Sequence, residues 1–78
     1  MAEIGKIILD DKSAVVTYMS NHQIYEIYET NAVSHELLIN LPIGTTLVLE
    51  DVEGNKITLN ITDVTIGQIV KWKAIIKK

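Results

Sequence analysis

The chain contains no cysteine, no arginine and no phenylalanine, and only one proline and four glycines. Without cysteine there is no disulfide staple, no thiolate-ligated zinc or iron–sulfur site and no cysteine nucleophile. Without arginine the chain lacks the guanidinium fork, which makes the commonest specific contact to a base edge and the bidentate clamp on phosphate. Basic charge is scarce as well: seven lysines stand against ten carboxylates, for a net charge of −3 and a pI of about 5.2. That sign is wrong for a chain that holds phosphate mainly by charge, and the magnitude is too small for a carboxylate-rich mimic of nucleic acid. No apolar run reaches the ~18 residues that a spanning helix needs. The first residues lack the basic start and apolar core of a secretory signal, so the expectation is a cytoplasmic protein without a membrane partner.

What the chain does have is β-branched side chains, with 13 isoleucines, 7 valines and 7 threonines among 78 residues. Such side chains are stiff at χ1 and pack best on a pleated surface. Turn signals recur at short intervals, at Asp10-Asp11-Lys12, Ser20-Asn21, Thr30-Asn31, Pro42-Ile43-Gly44, Glu53-Gly54-Asn55 and Asp63-Val64-Thr65. Strands of about six to ten residues fit between them, the spacing of a small barrel or sandwich. The expected fold is therefore a single all-β domain over residues 1–78. It is a small barrel or two-layer sheet of about six to seven short antiparallel strands, with room for one short helix between residues 20 and 41. An α+β arrangement is the alternative.

The clearest element is a hairpin from Thr45 to Asp63. Ile57, Leu59 and Ile61 alternate with Thr58, Asn60 and Thr62, Leu47 to Val52 form the partner strand, and Gly54-Asn55 supplies the positive-φ turn. The pattern Gly44-x-x-Leu47-x-Leu49 followed by Gly54-x-x-Ile57-x-Leu59 resembles the core hairpin of AbrB-type swapped-hairpin transcription factors. The arginine-bearing DNA face of that family is missing, so the resemblance implies no activity here.

Residues 20–41 fit two patterns. In a helix, Ser20-x-x-Gln23 makes a capping box and Ile24, Ile27 and Tyr28 share a face. In a hairpin folded at Thr30-Asn31, Ile24 faces Leu37, Glu26 faces His35 and Tyr28 faces Val33. Tyrosine and isoleucine favour the hairpin, although Thr30-Asn31 is poor chemistry for a two-residue turn.

Few residues carry chemistry. His22 and His35 are the only imidazoles. The hairpin register makes Glu26 and His35 a polar cross-strand pair, with a general acid/base pair or a fragment of a metal site as its functional alternative. No nucleophile and no phosphate loop accompanies it, so no enzyme, cofactor or metal is expected. The acidic group Glu50, Asp51, Glu53 lacks the ligand spacing of a calcium loop and fits a solvated turn.

The C-terminal strand is the most unusual segment. One face presents Ile69, Lys71, Lys73, Ile75 and Lys77, and the other carries Val70, Trp72, Ala74 and Ile76. A lysine-guarded edge strand anchored by Trp72 accounts for this pattern. A single-stranded nucleic-acid groove, with Lys71 and Lys73 on the backbone and Trp72 stacking on a base, is the alternative.

Size and patterning together point to self-association. A globule of this mass buries about 7,900 Å² of chain surface, which at about 60% apolar is worth about 120 kcal/mol, and ordering the chain costs about 117 kcal/mol. Several strands are also apolar on both faces, such as Ile4 and Ile8 against Ile7 and Leu9, and Leu47 and Leu49 against Val48 and Val52. A partner subunit would cover the second face. The expected function is thus a non-enzymatic interaction module that forms a homo-oligomer, dimer or higher, and binds another macromolecule or builds an assembly. The surface expected to carry it is Ile69, Lys71, Trp72, Lys73, Ile75 and Lys77. An OB-like or SH3-like barrel binding single-stranded nucleic acid is the alternative, and a small-ligand-binding oligomer is a second. A short arginine-free chain rich in lysine and isoleucine also suits a phage or mobile element.

Overall fold

A computed structural model describes residues 2–77. Six strands and one helix follow in the order β1 (Glu3–Leu9), β2 (Lys12–Asn21), β3 (Ile24–Glu29), α1 (Ala32–Ile39), β4 (Thr46–Asp51), β5 (Lys56–Thr65) and β6 (Lys71–Ile76). The strands form two meanders, β1-β2-β3 and β4-β5-β6, which close on each other through β1–β4 and β3–β6 pairing. All six pairings are antiparallel. The result is a closed barrel, the small all-β architecture that the turn spacing predicts.

Alternation along each strand fills the barrel. Ile7, Val16, Ile27, Leu47, Leu49, Leu59, Ile61 and Trp72 point inward and are essentially inaccessible to solvent. Ile57 is partly buried against this core. The predicted hairpin stands, with Leu47 opposite Leu59, Leu49 opposite Ile57, and a positive φ at Gly54. It pairs within its own barrel. Near the far end of β5 the register shifts between Ile61 and Asp63. The extra residue lets Ile61 and Val64, three positions apart, both lie on the core side, which strict alternation forbids.

The short helix for which residues 20–41 had room is present, but neither sequence pattern places it. Residues 24–29 are a strand, 32–39 are a helix, and Thr30-Asn31 joins them as a helix start in place of a hairpin turn. Asn31 is in extended conformation, and its Oδ1 accepts a hydrogen bond from the Ser34 N–H at 2.9 Å. The Ser34 hydroxyl in turn accepts from the N–H of Asn31 at 3.0 Å and of Thr30 at 2.8 Å. Serine thus takes the place that glutamate or glutamine holds in the usual capping box. The motif at Ser20-x-x-Gln23 caps nothing: it spans the β2–β3 turn, where His22 adopts φ 60°. Leu38 and Ser34, one turn apart on α1, are fully buried, and the helix packs over β2 and β3.

Two corrections follow for the residues singled out above. Glu26 does not face His35: it lies opposite Met19 and Lys73 on the outer wall, while His35 is on the helix. The lysine-bearing C-terminal strand is not an edge either, because β6 is hydrogen-bonded to β3 on one side and β5 on the other. The lysines therefore decorate a barrel wall and guard no open strand.

Candidate interaction surface

The exterior of the barrel inherits whatever side chains the inward-facing set leaves out. On β6 the outward positions are Lys71, Lys73 and Ile75, followed by Lys77, while Trp72 and Ala74 point in and are fully buried. Ile75 pairs across the strand boundary with Ile24 of β3, and the two side chains remain 43% and 44% exposed. Directly paired apolar side chains on a sheet's outer face make a ready contact patch. A shallow hollow of about 410 Å³ beside it is lined by Met19, Ser20, Asn21, Ile24, Glu26 and Lys73. Lys71 reaches Glu26 at 3.2 Å, and Lys77 Nζ donates to Thr46 Oγ1 at 3.4 Å.

Of the six surface residues expected from the sequence, four share this wall. Lys71, Lys73, Ile75 and Lys77 lie along it, and Ile69 is exposed in the loop that precedes β6. Trp72 lies inside the barrel, and its Nε1–H has no hydrogen-bond partner among the described residues. The sequence reading overlooked Ile24, although period two with Tyr25 and Ile27 facing inward puts it on the outside.

A second apolar wall lies across the barrel. Ile4 on β1, Val15 on β2 and Val52 at the β4–β5 turn are 59%, 46% and 81% exposed, and border a hollow of about 350 Å³. Lys6 and Glu50 line the hollow and approach each other to 4.0 Å, with Lys56 paired to Glu50 across the hairpin and Glu53 beside them. Asp51 is tied into the turn. Its carboxylate accepts from the backbone N–H of Asn55 at 2.9 Å, the Asn55 amide at 3.1 Å and the N–H of Glu53 at 2.9 Å. These bonds, the Asn55 backbone foremost, hold its pKa below the ordinary aspartate value. Behind this wall the Tyr18 ring packs over Gly5, where any Cβ would come within 2.8 Å of the ring, and against Tyr25 with ring centroids 6.0 Å apart. Burial first, then Glu3 and Asp51, pushes the Tyr18 phenol above its usual pKa.

The helix end carries a groove of about 660 Å³ between the β1–β2 turn and α1, with Leu9, Leu37 and Leu41 among its lining residues and Asp10, Asp11 and Glu36 contributing carboxylates. His35 Nδ1 lies 2.6 Å from Glu29 Oε2. His22 occupies the turn at the opposite end of the barrel, so the two imidazoles cannot share a ligand. Among the described residues no group of three or more histidine, aspartate or glutamate side chains is arranged to hold a metal, and no helix is long and apolar enough to cross a membrane. Comparison with known proteins finds no matching family, no matching curated protein and no matching solved structure.

Proposed function

We propose that this chain is a non-enzymatic, cytoplasmic interaction module that assembles with copies of itself through the walls of its barrel. The observation that carries this reading is the exposed Ile24–Ile75 pair on the lysine-bearing β3–β6 wall, which no other element among the described residues covers. Paired isoleucines on an outer face stabilise the sheet of a lone copy only modestly and gain further burial when a second surface meets them. Single-stranded nucleic-acid binding through Lys71, Trp72 and Lys73 has less support, because the fully buried indole offers no face for a base to stack on.

Light scattering at micromolar concentration tests the proposal. The expected mass is at least twice the 8.7 kDa of the chain, together with a melting temperature that rises with protein concentration. A monomeric mass with a concentration-independent melt overturns it.

A further inference from the structure

The helix α1 is apolar on two faces, and the barrel covers only one of them. Ser34 and Leu38 pack toward β2 and β3 and are fully buried. Val33 and Leu37, four residues apart, share the next face, and Leu41 follows beyond the helix end. Val33 is exposed, and Leu37 and Leu41 are only partly buried against the core. A helix that is apolar beyond its packed stripe has surface left to cover. This second face is one bank of the groove of about 660 Å³, and the β1–β2 turn with Leu9 is the other. Around the apolar lining, Asp10, Asp11 and Glu36 set three carboxylates against the single ammonium of Lys12. None of the three is ion-paired among the described residues. The helix ends in the groove at Asn40 with no basic residue in its last turn, so the negative end of its dipole adds to the same sign.

We infer that this groove is a docking site for a basic amphipathic helix of another protein. Two apolar side chains one turn apart on such a helix, about 5.4 Å along its axis, match Val33 and Leu37, which are themselves one turn apart on α1. Lysines or arginines beside them meet Asp10, Asp11 and Glu36. Charge selects this occupant over the others. A second copy presenting its own groove brings like carboxylates together, which costs affinity. A nucleic acid or an anionic membrane surface carries the sign that the groove repels. An uncharged apolar ligand strips water from the carboxylates and gives them no partner. The groove lies at the end of the barrel that α1 occupies, whereas the Ile24–Ile75 pair sits at the other end, where β2 turns into β3. Docking here is therefore independent of the self-association proposed above.

The probe is a synthetic leucine–lysine peptide of about 14 residues, long enough to hold an amphipathic helix. It is titrated into the isotope-labelled chain and followed amide by amide by NMR. Shifts should gather at residues 9–13 and 33–41, and a leucine–glutamate peptide of the same pattern should leave them unmoved. Glu36→Lys and Asp11→Lys each reverse one carboxylate at an exposed position, and each should weaken binding about tenfold at low ionic strength, an effect that salt erodes. Glu53→Lys makes the same change of net charge at the β4–β5 turn, at the opposite end of the barrel, and should leave the affinity within about twofold. The amide spectra of the free variants check that each keeps the barrel. The proposal is overturned if no peptide-induced shift reaches the groove, or if the acidic peptide binds as well. It is also overturned if Glu53→Lys weakens binding as much as Glu36→Lys, because the attraction would then be one of net charge. Groove shifts that grow with the chain's own concentration, with no peptide present, would place a second copy there and overturn it too. A monomeric chain that binds the lysine peptide in the groove would remove self-association and leave the docking standing.

Discussion

The two meanders of the barrel are built alike and patterned differently. In β5 the inward Ile57, Leu59 and Ile61 alternate with Thr58, Asn60 and Thr62, so the strand declares which face is wet. In the first meander the outward positions of β1, β2 and β3 include Ile4, Val15 and Ile24, each more than two-fifths exposed. The outer face there is apolar enough to blur the period-two contrast on which strand recognition depends. The residues that obscure the pattern are also those the folded chain leaves uncovered. Local ambiguity and surplus surface have the same physical origin, an apolar side chain on the solvent side of a sheet.

The largest test of this contrast sets one residue of each kind against the other. Replacing Leu59, fully buried in the second meander, by alanine should cost about 2 to 5 kcal/mol in urea unfolding through lost burial and a cavity. Replacing Ile24 by alanine should cost the monomeric fold no more than about 1 kcal/mol while weakening association. Equal losses at both sites would show that Ile24 is a core residue and break the comparison.

How much was legible in the sequence follows the same line. A small barrel or two-layer sheet of about six to seven strands, the Thr45–Asp63 hairpin and a shared core of Leu47, Leu49, Ile57, Leu59, Ile61 and Trp72 were readable from alternation and turn chemistry, Ile57 proving only partly buried. The lysine wall was readable as a row of residues, but its place between two strands was not, because closure of a barrel depends on the distant pairing of β3 with β6. The short helix expected between residues 20 and 41 is present, but the sequence patterns did not place it at 32–39, for a local reason. Val33, His35, Leu37 and Ile39 alternate with Ser34 and Glu36 as a strand would, and the cap that decides the matter is Asn31 with Ser34, a variant of the expected motif. Reading Asn31-x-x-Ser34 as a helix start would have removed the Glu26–His35 pairing and freed His35 to meet Glu29.

A second test sharpens the boundary between the first meander and the helix. Ser34 is fully buried, and its hydroxyl is the acceptor for the Thr30 and Asn31 N–H groups. Ser34→Ala removes that acceptor while keeping helix propensity, and should cost about 1 to 3 kcal/mol because buried donors lose their partner. Hydrogen exchange should quicken first at the amides of Thr30 and Asn31. A neutral substitution with unchanged exchange would mean that packing of Leu38 alone holds the helix on the barrel.

The smallest expected effect concerns how the meanders turn. The β2–β3 turn of the first places His22, a residue with a Cβ, in the left-handed region, where it carries a steric cost that glycine avoids. The β4–β5 turn of the second uses Gly54 for its positive φ and closes with the Asp51 carboxylate accepting from Asn55 and Glu53. Because these bonds favour the charged form, the pKa of Asp51 is lower folded than unfolded. The resulting stability is present above the ordinary aspartate pKa of about 3.9 and is lost as pH falls through the depressed folded value. Asp51→Asn removes the titration while leaving an amide oxygen to accept one N–H. Urea melts on the acid side should therefore show a shallower loss of stability for the variant than for the unmodified chain, with the two curves furthest apart above the ordinary aspartate range and converging below it. The carboxylate is open to water, so screening keeps the difference small. Identical acid limbs would show that Gly54 alone sets this turn.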